Sequence, residues 1–168
     1  MKLILFITSF AFMLACDSMS GKKIDNTCFV VESFPDFKVG GTIDTRKILE
    51  YVHPVNTDNE TSEIKRASTA FKCLGFDQGI NDLMVYTDKE TKKINWIDAG
   101  WNYFETPEFV LDKISSTYLP CLPVDQLKAN PGELITLSND NLVETYSYAV
   151  NQNGMVIIRY SAHIRNLP

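Results

Sequence analysis

The last third of the chain constrains the fold most. Glu133 to Leu137, Leu142 to Asn151 and Met155 to Ile164 read as successive antiparallel strands, with apolar and polar residues alternating as a half-buried sheet requires. Asn153-Gly154, between Gln152 and Met155, is the dipeptide preferred in type I′ hairpins. That loop sets Val150 opposite Ile157, Tyr148 opposite Arg159 and Glu144 opposite His163, and a longer loop is expected to keep these residues on one face. Val156, Ile158, Tyr160, Ala162 and Ile164 form the other face, which must be buried.

Upstream, Leu83 to Thr87 and Lys93 to Asp98 make a hairpin about the charged turn Asp88 to Lys92. The aromatic loop Gly100 to Glu105 leads into Thr106-Pro107-Glu108, a helix start with Thr as cap, Pro first and an acid next. Val110, Leu111, Ile114 and Tyr118 lie along the apolar side of that helix. Asn130-Pro131-Gly132 is a turn, since Pro presets one dihedral and Gly permits positive φ at the next position. Two earlier helices are expected. One runs from the cap Asp44 to His53, stopped by Pro54; the other follows the acidic entry Asp58 to Glu63 and carries Ile64, Ala67, Phe71 and Leu74 on one side. Thr27 to Phe34 has the β-branched and aromatic content of a first strand. The fold class is therefore α+β: a single domain over residues 27–168, with a mostly antiparallel sheet of about five or six strands, about three helices on one face and a C-terminal β-meander.

The 168 residues carry a formal charge of −5, with 45% hydrophobic and 22% charged residues. That balance suits a globular domain and argues against disorder. No basic cluster is present to neutralise a row of phosphates, which argues against nucleic acid as a partner.

The first sixteen residues decide where such a domain works. Lys2 is followed by an apolar run from Leu3 to Ala15. At about thirteen residues it rises about 20 Å as a helix against a hydrocarbon core of about 30 Å, too short to span comfortably. The layout is that of a signal peptide over residues 1–15. Met13-Leu14-Ala15-Cys16 resembles the lipobox of bacterial lipoproteins, with Met where Leu is usual. The resemblance implies that Cys16 becomes the first mature residue and carries the lipid, palmitate included, through its thiol and amine. Residues 16–26 then form a polar tether. Asp17 resembles the signal for retention in the inner membrane of enteric bacteria, with the outer membrane as the alternative. Cleavage after Ser18-Met19-Ser20, releasing a soluble protein from Gly21, is the rival processing.

With Cys16 acylated, Cys28, Cys73 and Cys121 remain, and export permits one disulfide. Cys121 sits in the stiff Pro120-Cys121-Leu122-Pro123 segment and Cys73 closes an expected helix, so Cys73–Cys121 is the favoured pairing among three. No Cys-x-x-Cys or neighbouring Cys/His pair suggests zinc, and nothing calls for a cofactor.

Catalytic patterns are sparse. His53 suits a helix C-terminus. His163 shares a strand face with Arg159, Ser161, Glu144 and Tyr146. Glu144 charging His163 while Arg159 holds an anion would be a site, whereas cross-strand pairs on a polar face are the plainer account. Ser62-Glu63-Ile64-Lys65 matches the Ser-x-x-Lys pattern of penicillin-binding enzymes but lacks its companion elements. Trp96, Trp101, Tyr103 and Phe104 alternate with Asp98, Asn102 and Glu105. They either stack on sugars or a protein partner, or fill the core. The carboxylates Asp98, Glu105, Glu108 and Asp112 offer an acid/base pair only if two converge.

The expected function is accordingly that of a non-catalytic, membrane-anchored envelope lipoprotein facing the periplasm. It binds another envelope or exported protein, of basic character by charge steering, as an inhibitor or immunity protein does. Trp101, Tyr103, Glu105, Tyr146, Arg159 and His163 are its candidate binding surface. Two alternatives stand beside it. One is a small cell-wall glycan-binding or hydrolytic domain using residues 96–105, which requires Trp101 and Tyr103 in an open groove. The other is a small-ligand sensor with a pocket near Tyr146, Arg159 and His163.

Overall fold

The computed structural model describes residues 27–31, 37–44, 46, 52–54, 68–73, 80 and 82–165. The elements are β1 (Val52–Pro54), β2 (Ser68–Cys73), β3 (Asp82–Asp88), β4 (Ile94–Tyr103), α1 (Pro107–Thr117), α2 (Val124–Ala129), β5 (Leu134–Ser138), β6 (Leu142–Val150) and β7 (Val156–Ile164). The strands form one antiparallel seven-stranded sheet in the order β1-β2-β3-β4-β7-β6-β5. Two meanders thus meet where β7 pairs with β4, and the segment bearing both helices carries the chain from mid-sheet to the β5 edge. The class is a mostly-sheet α+β domain, with two helices among the described residues rather than about three.

Turn chemistry explains the local joints. Asp88 Oδ1 accepts from Glu90 N at 3.1 Å and Thr91 N at 2.7 Å, and Lys92 closes the first hairpin with φ of 59°. These hydrogen bonds, the one from the Thr91 backbone foremost, hold the Asp88 carboxyl below its ordinary range. Thr106 caps α1 through a 3.5 Å bond from Phe109 N, with Pro107 first in the helix. Val110, Leu111, Ile114 and Tyr118 are buried, as the apolar spacing requires. Gly132 takes φ of 86° after Pro131.

The core lies on one face of the sheet. Val85, Ile97, Ala99, Trp101, Tyr146 and Ile158 meet the inner sides of the helices and an N-terminal segment bearing Phe29 and Val31. Phe29 stacks on Tyr160 at 5.6 Å and 12°, and Trp101 packs 5.7 Å from Tyr118. Burying each such side chain contributes roughly 1.5–3 kcal/mol.

Cys28 and Cys121 lie at disulfide distance, their sulfurs 2.21 Å and their Cα atoms 5.4 Å apart. This replaces the expected Cys73–Cys121 pairing. Cys73 belongs to β2, between Val52 and Leu83, whereas Cys28 is carried over the core face to the segment after α1. There Val30 N donates to Tyr118 O at 2.9 Å.

Four further expectations change. Residues 27–31 belong to no strand and cross the core face; the rest of the expected Thr27–Phe34 strand lies outside the described residues. Val52 and His53, expected to end a helix, belong to β1, and most of the remainder of that helix is not described. Ser68–Cys73, assigned to the second helix, is a strand; residues 58–67 and Leu74 lie outside the described part. Short apolar runs fit either period, and pairing of Phe71 with Val85 selects the extended form.

The fourth change concerns register. Val150 pairs with Val156, Ser147 with Arg159, Glu144 with Ala162 and Val143 with His163. The loop is a type I turn over Asn151–Gly154, closed by Gly154 N to Asn151 O at 3.0 Å, and only Gly154 has positive φ (75°). Asn151 Oδ1 organises it by accepting from Asn153 N and Met155 N, both at 2.9 Å. The resulting one-residue shift moves Glu144, Tyr146 and Tyr148 onto the buried face with Val156, Ile158 and Tyr160.

Candidate binding face

The face of the sheet away from the core carries Trp96, Asp98 and Gly100 of β4 opposite His163, Ser161 and Arg159 of β7. Between β3 and β5 it forms a cleft of about 390 Å³, lined by Asp82, Met84, Asp98, Leu134, Thr145, Ser147, Arg159 and Ser161 among others. Arg159 lies across its floor. The side chain fits because position 100 is glycine: a Cβ there would stand 1.7 Å from Arg159 Nη1. No hydrogen bond or ion pair holds the guanidinium among the described residues, and the side chain is exposed. It presents five donors in a planar fork to whatever enters.

The neighbouring groups are more tightly held. Trp96 Nε1 donates to Asp98 Oδ1 at 2.9 Å and to Ser161 Oγ at 2.8 Å. The Trp96 ring packs 5.3 Å from Tyr86 and 5.5 Å from His163, giving an aromatic row across β3, β4 and β7. Burial pushes the His163 imidazole below its ordinary pKa, against a smaller upward pull from the Asp98 charge. Its Nδ1 is buried without a hydrogen-bond partner, and no bond joins the ring to Ser161. Among the described residues no three His, Cys, Asp or Glu side chains are grouped to hold a metal ion.

Of the candidate surface, the structure unites Arg159 and His163 on the open face and leaves Glu105 exposed in the loop before α1. It removes two residues outright. Trp101 is fully buried in the core, and Tyr146 is fully buried on the face opposite Arg159. Tyr103 is half-buried at the end of β4 beneath Lys113, whose Nζ is 4.7 Å from the ring centre. The glycan groove therefore has no Trp101 wall. Asp98 is on the open face, whereas Glu108 and Asp112 are on α1 across the sheet, so these acids do not converge. The pocket expected near Tyr146, Arg159 and His163 is divided by the sheet itself.

Glu144, expected beside His163, serves elsewhere. It is buried, accepts from Cys28 N at 2.7 Å and receives the hydroxyl of Tyr160. Desolvation first, and the Glu144 charge second, raise the Tyr160 and Tyr146 hydroxyls above their ordinary range. The carboxylate is thus a clasp between the N-terminal segment and the sheet.

Asp98 and Ser161 were expected from the sequence as a candidate carboxylate and a neighbour of His163, whereas Ser147 and the part played by Gly100 were not. A signal existed in β4, where Trp96, Asp98, Gly100 and Asn102 alternate with Ile97, Ala99 and Trp101. Gly100 suggested a loop, and the strand runs through it. Cys16, with the expected leader and tether, lies outside the described residues, and among those described no helix is long and apolar enough to cross a membrane. The chain matches no family model, no curated protein and no solved structure.

Proposed function

We propose that the chain is an envelope lipoprotein, anchored through Cys16, that binds another protein without catalysis, as inhibitors and immunity proteins do. Its binding surface is the open face of the sheet, centred on Arg159. The observation that carries this is an arginine with no partner among the described residues, laid over Gly100 in a cleft of about 390 Å³. A guanidinium in that position has its five donors unused within the described residues, and a bound carboxylate or carbonyl would use its fork geometry. Five net negative charges on the whole chain favour a partner of basic character during approach, with Arg159 supplying the local cation at contact.

The test places a photo-crosslinking residue at Ser147, on the open face, or at Asp112, on the exposed side of α1, in the full chain in its native envelope. One discrete adduct from Ser147, absent from Asp112 and abolished by Arg159→Asp, is expected. Equal adducts from both positions, or none from Ser147, refute the binding face. Labelled palmitate entering the native chain but not Cys16→Ser tests the anchor separately.

A further inference from the structure

We propose that two copies of this chain pair antiparallel through β5, with Thr136 of each on the twofold axis, joining their sheets edge to edge. Among the described residues β5 is the last strand of the sheet, and its Leu134 and Leu137 are 67% and 39% exposed. The strand reads Leu-Ile-Thr-Leu-Ser, with no charge and no proline. Those are the usual devices by which a sheet edge is protected from another chain; the β5 sequence has neither, and the charge that reaches it is Arg165, whose Nη2 donates to Ser138 Oγ at 2.8 Å.

The main-chain groups point the right way. Asn139 N donates to Leu142 O at 3.0 Å and Gly132 N to Tyr148 O at 2.7 Å, so the even-numbered residues of β6 turn their backbone groups toward β5. In the observed register Ile135 faces Tyr146 and Leu137 faces Glu144. By antiparallel alternation these two residues bond β6, and the N–H and C=O groups of Leu134, Thr136 and Ser138 point outward. None of the three outward sets has a main-chain partner among the described residues.

A second copy satisfies all of them in one register. Centred on Thr136, that register sets Thr136 against its twin and Leu134 against Ser138 of the other copy, forming about six hydrogen bonds. On the core side Ile135 meets Leu137, extending the apolar layer across the axis. On the open side the two threonines meet, a favourable cross-strand pair. Charge does not block this register: Glu133 falls opposite the neutral Asn139 of the other copy, so no acid directly faces an acid within the paired segment, and what opposes pairing is the overall −5 of each chain. Because directly opposed residues share a face, the pairing is isologous and brings both clefts, each lined by Leu134, to the same side of the doubled sheet.

Oxidative cross-linking of the purified full-length chain tests the register, with the unsubstituted protein and its own cysteines as background. Opposed Cα atoms in such a pair stand about 5.5 Å apart, within reach of a disulfide. Thr136→Cys should give roughly tenfold more covalent dimer than Asp112→Cys or Leu134→Cys alone, whereas Leu134→Cys combined with Ser138→Cys should recover it. Added salt should raise the yield by screening the like net charges. Hydrogen exchange on the unsubstituted chain gives a second measurement, independent of any variant: the Leu134, Thr136 and Ser138 amides should slow as protein concentration rises. Equal cross-linking at positions 134, 136 and 112 overturns the proposal. So does protection of these amides that ignores chain concentration, which would mark a foreign strand or an internal cover in place of a second copy.

Discussion

Replacing Cys28 and Cys121 together by alanine is expected to destabilise the domain severely. The two cysteines are 93 residues apart in sequence. The chain-entropy relation for a closed loop of that size gives about 4.7 kcal/mol of stabilisation, acting through the unfolded chain. Structure retained in the reduced chain lowers the figure, so a loss of about 3–4 kcal/mol is expected. The native contacts of the segment survive the substitution, since Glu144 still receives Cys28 N and Phe29 still stacks on Tyr160. Equilibrium urea denaturation reads the effect directly. With a slope of about 2 kcal/mol/M, the midpoint should fall by about 2 M, and the slope should rise as the unfolded chain expands without its cross-link. Alkylation of the native chain before denaturation should leave Cys28 and Cys121 unlabelled. A midpoint shift below about 0.5 M, or a labelled Cys28, refutes both the pairing and the reasoning built on its loop.

Three other outcomes follow from the two faces of the sheet. Glu144→Ala should cost about 2–4 kcal/mol by leaving Cys28 N–H and the Tyr160 hydroxyl buried without an acceptor, while Glu144→Gln keeps one oxygen and should cost about 1 kcal/mol, both by thermal or urea unfolding. His163, whose pKa burial lowers below the usual 6.5, takes up its proton more readily when unfolded; its contribution is complete above about pH 6.5 and is lost as pH falls toward the folded value, so His163→Gln should flatten unfolding midpoints measured from pH 7 to pH 5. Gly100→Ala should fold with a stability change under about 1 kcal/mol, because the atoms its Cβ meets belong to the flexible Arg159 side chain; it should nevertheless abolish the Ser147 adduct as fully as Arg159→Asp does, and an unchanged adduct would show that the placement of Arg159 is immaterial.

What the sequence displayed plainly was whatever a few adjacent residues decide. Thr106-Pro107-Glu108 starts α1, Asn130-Pro131-Gly132 turns the chain, and Asp88–Lys92 closes a hairpin, because each rests on a cap or a dihedral set locally. The strands β5, β6 and β7 were visible for the same reason. The parts that misled depend on distant partners. Ser68–Cys73 is extended because β3 pairs with it, and Cys28 meets Cys121 because the core draws the N-terminal segment across the sheet. β4 was cut short at Asp98, since a glycine inside a strand is a breaker by local rules. Here Gly100 is the position that admits the guanidinium of its cross-strand neighbour.

Strand parity is where local sequence and structure part most. Asn153-Gly154 announces a hairpin correctly, but Asn151 accepts two backbone N–H groups and sets a five-residue connection whose register differs by one. A strand has two faces, so a single residue of slip exchanges all of β6 between site and core. With Glu144 beside His163, the open face would hold a carboxylate–imidazole pair, the beginning of acid/base chemistry. With Glu144 inside, bonded to Cys28 N and Tyr160, the carboxylate instead fastens the segment that also bears the Cys28 sulfur. His163 is then left without a carboxylate bond, and Arg159 stands on the open face, beside Asp98 in the cleft, without an ion-pair partner among the described residues. The open face therefore owes its composition to the β6–β7 register, and cross-strand contacts between Tyr146 and Tyr160, whose rings lie 5.3 Å apart, check that register.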